Sequence, residues 1–354
     1  MNRREWLSTI AAALPAWRVV LRAQVPDFAD ILKIDIHSHV FEDIPALNAM
    51  LRRNNVRTMN VCNNGSDGHL ETMHRIAIDL FRKHRDLFPF ASTFDVTRVN
   101  EPGYSGKVIK WLDGTFADGA VATKIWKEVG LEVKKKDGTF ILPDDGVFDP
   151  IYAHLASRRK PLLAHLAEPI DAWLPLDPDS PHYRYYSTNP QWHLYGKPGY
   201  PSHAAIIAAR DRILEKHPKL TLIGAHLGSL EHDLDGIAQR LDRYPNFYIE
   251  CAARTRNLAR HPSDKVRALF IKYQDRIMYG VDASWKPYLG PEPTEEQRQA
   301  HVKRLDERYR LDYQYYAGSG EMQYDGRPAR SLALPREVLE KFYNRTARRL
   351  IAFP

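Results

Sequence analysis

Short runs of apolar and β-branched residues recur along the chain, at 31–36, 56–61, 88–94, 120–126, 161–166, 220–225, 247–252 and 277–281. Most of the intervals between them carry apolar positions at helical spacing, at 46–54, 70–84, 148–157, 204–217, 234–244 and 263–273. A last periodic stretch covers 334–351, with Pro335 in a first-turn position. Strands alternating with helices predict a parallel sheet covered by helices, in the α/β class. Eight such units over this length predict a (β/α)8 TIM barrel. A doubly wound open sheet is the alternative, but no G-x-G-x-x-G follows the first run.

Two connections exceed what a barrel needs, 168–203 after the fifth run and 283–334 after the eighth. The first is rich in Pro, Tyr, Trp and His; the second holds a charged helical stretch near 295–310. Both follow strands and are expected over the C-terminal mouth as lids, with decorative insertions or a homodimer surface as the other reading.

Hydrophobic residues make up 44% and charged residues 27% of the 354, which excludes a disordered chain, a collagen-like fibre and a multispan membrane protein. Cys62 and Cys251 are too few for a disulfide scaffold and read as small buried hydrophobes. The 51 basic residues exceed the 44 acidic by seven, but they are scattered. That distribution argues against a nucleic-acid partner and for a basic rim that attracts a small anionic substrate.

Residues 1–24 are a different kind of text: Arg3-Arg4 stands before a short apolar stretch at 10–20. This resembles a twin-arginine export signal, which makes 30–354 the folded domain and predicts a periplasmic protein with no membrane insertion of the mature chain. Arg18 and Arg22 interrupt the apolar stretch, so a cytoplasmic protein with an amphipathic N-terminal helix is the alternative.

Candidate chemistry begins at Asp35-Ile36-His37-Ser38-His39. Alternation along a strand puts His37 and His39 on one face, the lumen of a barrel, where two imidazoles can hold a divalent ion. The fifth, sixth and eighth runs end in His165, His226 and Asp282. Each alone reads as a hydrogen-bonded structural residue, but the five together point to a metal, since polar groups in an apolar lumen are costly unless paired or ligated.

This ordered H-x-H, His, His, Asp set resembles the amidohydrolase superfamily, and within it the amidohydrolase-related branch that also contains decarboxylases. Residues 121–126 (VATKIW), 224–228 (GAHLG) and 343–348 (YNRTAR) add to the likeness, which spans about 30–352. The resemblance implies one divalent cation on His37, His39, His165 and Asp282, with His226 as acid/base or second-site ligand. Zinc suits these donors, as do Mn, Fe and Co. Lys124, ending the fourth run, is a carboxylated bridge to a second metal, a substrate or water contact, or a structurally paired lysine. Arg254, after the seventh run, is placed to clamp a substrate carboxylate. Trp126 is a pocket wall or core residue, and Glu168 is either support for the metal ligands or solvated. The expected activity is metal-dependent hydrolysis of an amide, lactone or ester-like bond, with Asp282, His226 and Lys124 catalytic. Non-oxidative decarboxylation on the same scaffold is the alternative, and a barrel kept only for ligand binding is a third reading.

Overall fold

The computed structural model describes residues 26–66, 68–351 and 353, so the expected export signal at 1–24 lies outside the described residues. Eight parallel strands follow one another in chain order: β1 (Lys33–Val40), β2 (Val56–Val61), β3 (Phe90–Ser92), β4 (Ala122–Ile125), β5 (Leu162–Ala164), β6 (Leu222–Gly224), β7 (Phe247–Glu250) and β8 (Ile277–Met278). A ninth short strand, β9 (Ser284–Trp285), pairs with β1. β8 and β9 are two pieces of one stave: the Ile36 amide donates to Tyr279 O, that of Asp282 to His37 O at 2.6 Å and that of Phe41 to Trp285 O. The sheet therefore closes on itself as a (β/α)8 barrel. The strands are buried along almost their whole length, as expected of a parallel sheet covered on both faces.

The closed sheet divides the core in two. Ile34, Ile36, Met59, Ala91, Ala122, Leu163, Ile223 and Met278, from seven strands, form one cluster that fills the lumen, with Ala347 and Ile351 of the C-terminal segment packed at its base. Their alternates, such as Leu162, Leu222, Phe247 and Ile277, join the larger cluster under the surrounding helices. From β3 to β8 the strands are shorter than the apolar runs by two to four residues, because flanking apolar residues also pack in the turns; β2 matches its run and β1 extends past it to Val40.

The expected helices form within a residue of their predicted bounds: Pro45–Arg53, Leu70–Lys83, Asp149–Ser157, His203–Lys216, Leu234–Arg243 and Ser263–Lys272. The helix Tyr104–Ala117 was not legible in the pattern; Gly106 and Gly114 interrupt it and its N-cap is Gly103, with no side-chain cap. The C-terminal stretch is three pieces, Arg336–Glu340, a π-helical turn Lys341–Arg345, and Thr346–Leu350; Pro335 is the cap, not a first-turn residue.

The two long connections differ from each other. Residues 168–203 fold into short helical turns over the mouth, including Tyr183–Thr188. The second is corrected by the structure: its charged stretch becomes Glu295–Ala317, which runs down the barrel flank against Pro45–Arg53 instead of covering the mouth. Asn54 donates to Asp306, and Tyr309 reaches through to Asp35 and Thr58 beneath the sheet. A two-stranded hairpin of β10 (Glu321–Tyr324) and β11 (Arg327–Arg330) follows it.

Candidate active site

The H-x-H motif reaches the lumen by a device that simple alternation does not supply. Asp35 faces outward, hydrogen-bonded to Tyr309 of the flank helix, so strict alternation would send His37 the same way. Instead the register slips: Asp35 opposes Thr58 and Ser38 opposes Asn60, leaving Ile36 and His37 together across from Met59. This bulge turns His37 and, two residues on, His39 into the lumen. Asp35 holds the bulge, its Oδ1 accepting from the amides of His37 and Val281 (3.1 Å each) and its Oδ2 from Ser38 Oγ (2.6 Å). Burial pushes the Asp35 carboxyl up to about 7, against these hydrogen bonds.

The other polar residues come from the strand ends. His165 follows β5, His226 follows β6, and Asp282 lies in the break between β8 and β9. Non-glycine residues with left-handed backbone cluster there: Ala167, His226, Leu227, Ser229, Ala253 and Asp282 all have φ between 54° and 64°. Such conformations cost about 1–3 kcal/mol each and persist where surrounding structure dictates them. They let the chain turn back at once, so that His226 and Asp282 point inward.

Four side chains converge, those of His37, His39, His226 and Asp282, and His165 adjoins them through His226. His39 Nε2 lies 3.2 Å and His37 Nε2 3.7 Å from Asp282 Oδ1, and His226 Nε2 lies 4.0 Å from Asp282 Oδ2. His165 Nδ1 is 3.2 Å from His226 Nε2. Three rings are locked from behind by groups that can only accept. His37 Nδ1 donates to Glu250 Oε1 (2.8 Å), His39 Nδ1 to Val61 O (2.6 Å) and His226 Nδ1 to Ala252 O (2.8 Å). Each Nε2 lone pair is thereby aimed at the centre. Burial keeps all four imidazoles below their ordinary range, His226 at about 3. Burial pushes the Asp282 carboxyl up, but the His39 hydrogen bond and the nearby rings outweigh it and hold it well below the usual range.

Donors about 2.1 Å from a tetrahedral ion are about 3.4 Å apart, and 3.2–4.0 Å separations match that scale. The group His37, His39 and Asp282 has ligand atoms all within 4.8 Å of one another, so it could hold a divalent cation. His37, His226 and Glu250 form an overlapping group. In this one, however, Glu250 already accepts from His37 Nδ1, the His226 amide (2.9 Å) and the Ala252 amide, which makes it support for the rings. Gly280 lies over this contact: a Cβ there would meet Glu250 Oε2 at 3.1 Å and His37 Cβ at 3.2 Å.

Lys124 is fully buried, with Nζ 3.0 Å from His37 Nε2, and desolvation lowers its pKa to about 7. Arg254 lines a cavity of ≈ 490 Å³ that also touches His165, His226, Asp282, His182 and Arg184. Trp126 stands edge-on to both His165 and Trp192. Glu168 is neither solvated nor bonded to a site histidine: it is 3% exposed and paired with Lys127. Lys127 also donates to Tyr185 (2.9 Å) and sits 3.7 Å above the Trp192 ring, tying β4 to the lid.

Glu250, Asp35 and Lys127 escaped the sequence reading. Glu250 ends the β7 core as Asp282 ends the eighth stave, so the same rule finds it once the run 247–252 is recognised as ending at residue 250. Nothing local marks Lys127.

Residues 105–353 match the amidohydrolase family. The chain belongs to that family. A solved structure described as amidohydrolase II superposes on this amidohydrolase with a TM-score of 0.52 at 15% identity, covering 90% of this chain and 99% of that one. The 4-oxalomesaconate hydratase of Rhodopseudomonas palustris gives 0.50 at 12%, covering 91% and 96%. At such identities the likeness speaks for the fold alone. No curated protein matches the chain.

Proposed function

We propose that this amidohydrolase is a metal-dependent hydrolase that cleaves an amide, lactone or ester-like bond of a small anionic substrate. The observation that carries the reading is the convergence of His37, His39, His226 and Asp282 with three ring nitrogens locked outward, which leaves lone pairs facing one point. His37, His39, His165 and Asp282 would hold the cation, and the neutral imidazoles and ionised carboxylate suit zinc, with Mn, Fe or Co also compatible. A divalent cation there supplies Lewis-acid activation of water and of a substrate oxygen. The Asp282 carboxylate accepts the proton of the attacking water. His226, fixed by Glu250 and Ala252, polarises the substrate oxygen or delivers a proton to the leaving group. Lys124, with Nζ 3.0 Å from His37 Nε2, offers a weakly basic amine that would contact substrate or water or, if carboxylated, would help to hold a second ion. Arg254 anchors the substrate's carboxylate at the wall.

The test is metal analysis of the purified protein with a panel of lactones, esters and amides bearing a carboxylate, run beside aromatic and enoic acids. Near-stoichiometric metal and turnover of at least one hydrolysable bond, abolished in Asp282→Asn, are expected. Release of CO2 from the acids with no hydrolysis would overturn the reading in favour of decarboxylation.

A further inference from the structure

Behind the cavity wall, Glu231 and Arg254 face each other, and among the described residues neither has another partner of opposite fixed charge, since the Asp171 carboxylate beside Glu231 carries the same sign. Glu231 is 1% exposed, and neither of its carboxylate oxygens has a hydrogen-bond partner among the described residues. Arg254 Nε lies 3.5 Å from Glu231 Oε2 and likewise makes no hydrogen bond. His182 Nε2 is 3.9 Å from Glu231 Oε1, but burial and then Arg254, Arg256 and Arg260 hold its ring neutral, at about 2. Among the described residues, Arg254 is therefore the one charged cation within 4 Å of this carboxylate.

Both residues rest on firm backbone. Glu231 sits five residues after His226, with its carbonyl accepting from His261 (2.8 Å) and the segment pinned by Ser229 Oγ on Leu166 O (2.6 Å). Arg254 sits four residues after Glu250, past the left-handed Ala253. The guanidinium itself is less restrained: among the described residues, the only hydrogen bond it makes is from Nη1 to Ala253 O at 3.2 Å. A long flexible side chain with one local bond needs an outside tether to present a fixed fork to a ligand.

We infer that Glu231 is a positioning residue, the buried tether that sets the Arg254 guanidinium at the cavity wall for carboxylate recognition. This rests on the reading of Arg254 as the substrate's anion anchor. Outer partners that orient metal ligands are typically worth about ten- to a hundredfold, and an effect near the low end of that range is expected for a tethered guanidinium.

The experiment measures benzoate affinity, as a compact carboxylate probe, by titration of the metal-loaded full chain, together with KM and kcat on any substrate found. Arg254→Met tests the anchor, and Glu231→Gln and Glu231→Asp test the tether. Glu231→Gln is expected to weaken benzoate roughly tenfold and to raise KM with kcat little changed, with metal content as in the wild type. Glu231→Asp should recover part of the loss, and Glu231→Gln on top of Arg254→Met should add nothing. Wild-type or tighter benzoate binding by Glu231→Gln, while Arg254→Met has lost it, overturns the tether and leaves the anchor standing. Unchanged binding by Arg254→Met overturns both. Should Glu231→Gln fail to fold by circular dichroism, Glu231→Asp decides: it keeps the charge but withdraws it, and unaltered affinity would refute the proposal.

Discussion

Glu250→Gln separates support of the proposed metal ligands from the ligands themselves. Glu250 is wholly buried and its two oxygens serve three donors: His37 Nδ1, the His226 amide and the Ala252 amide. Glutamine has the same shape but only one acceptor oxygen. Placed at the Oε1 position, that oxygen keeps His37 and His226 but turns an NH2 group on the Ala252 amide. Flipped, it keeps Ala252 and sets two donors against His37 and His226. Either way at least one buried donor is orphaned, at about 1–3 kcal/mol of stability. The negative charge behind His37 also disappears, which lowers the basicity of Nε2; removing such a partner typically weakens metal binding about ten- to a hundredfold. The assay is competition with a chromogenic chelator on metal-free protein, alongside thermal unfolding. A metal affinity within twofold of wild type, in a variant of normal secondary structure, refutes the idea that Glu250 works through His37.

Other consequences are equally direct. Asp282→Asn, re-metallated to the wild-type level, should lose about a hundred- to ten-thousandfold in kcat, read by initial rates; full activity would remove Asp282 as the proton acceptor. Lys127→Met leaves the Glu168 carboxylate buried without its cation and should cost about 3–5 kcal/mol in urea unfolding, with Lys127→Met/Glu168→Leu recovering most of it. Stripping the metal should lower the melting temperature, since an ion at a hundred times its Kd contributes about 2.7 kcal/mol; no shift in the melting curve would argue against a folded-state site. Gly224→Ala brings a Cβ to 2.9 Å from both Gly228 Cα and the Phe247 ring, and about 1–3 kcal/mol of destabilisation by calorimetry is expected.

The barrel was readable because a buried parallel strand writes itself as an apolar run and a covering helix as a period of 3.6. The helix Tyr104–Ala117 was unreadable for the converse reason: its stability comes from packing, with buried Val108 and Leu112, and its own glycines blur the period. The candidate site histidines and Asp282 were legible because His and Asp at the ends of apolar runs are conspicuous. The supports were not. Whether Glu168 is solvated or buried depends on Lys127, 41 residues away, and no local pattern encodes that distance. The bulge at Ile36–His37 was likewise invisible, since a two-residue alternation and a slipped one give the same letters. The second insertion was misplaced because a helix long enough to cap a mouth is also long enough to descend a wall, and long-range contacts such as Tyr309–Asp35 and Asn54–Asp306 decide between them.

The break between β8 and β9 ties chemistry to the order of synthesis. Val281 and Asp35 meet across 246 residues of chain, and Asp282 reaches His39 only once that junction is made. A chain that stops short of β8 has all four imidazoles but not the carboxylate that His39 pairs with. An ion held by His37, His39 and Asp282 would therefore join the first stave to the last, across the line where the two edges of the cylinder meet.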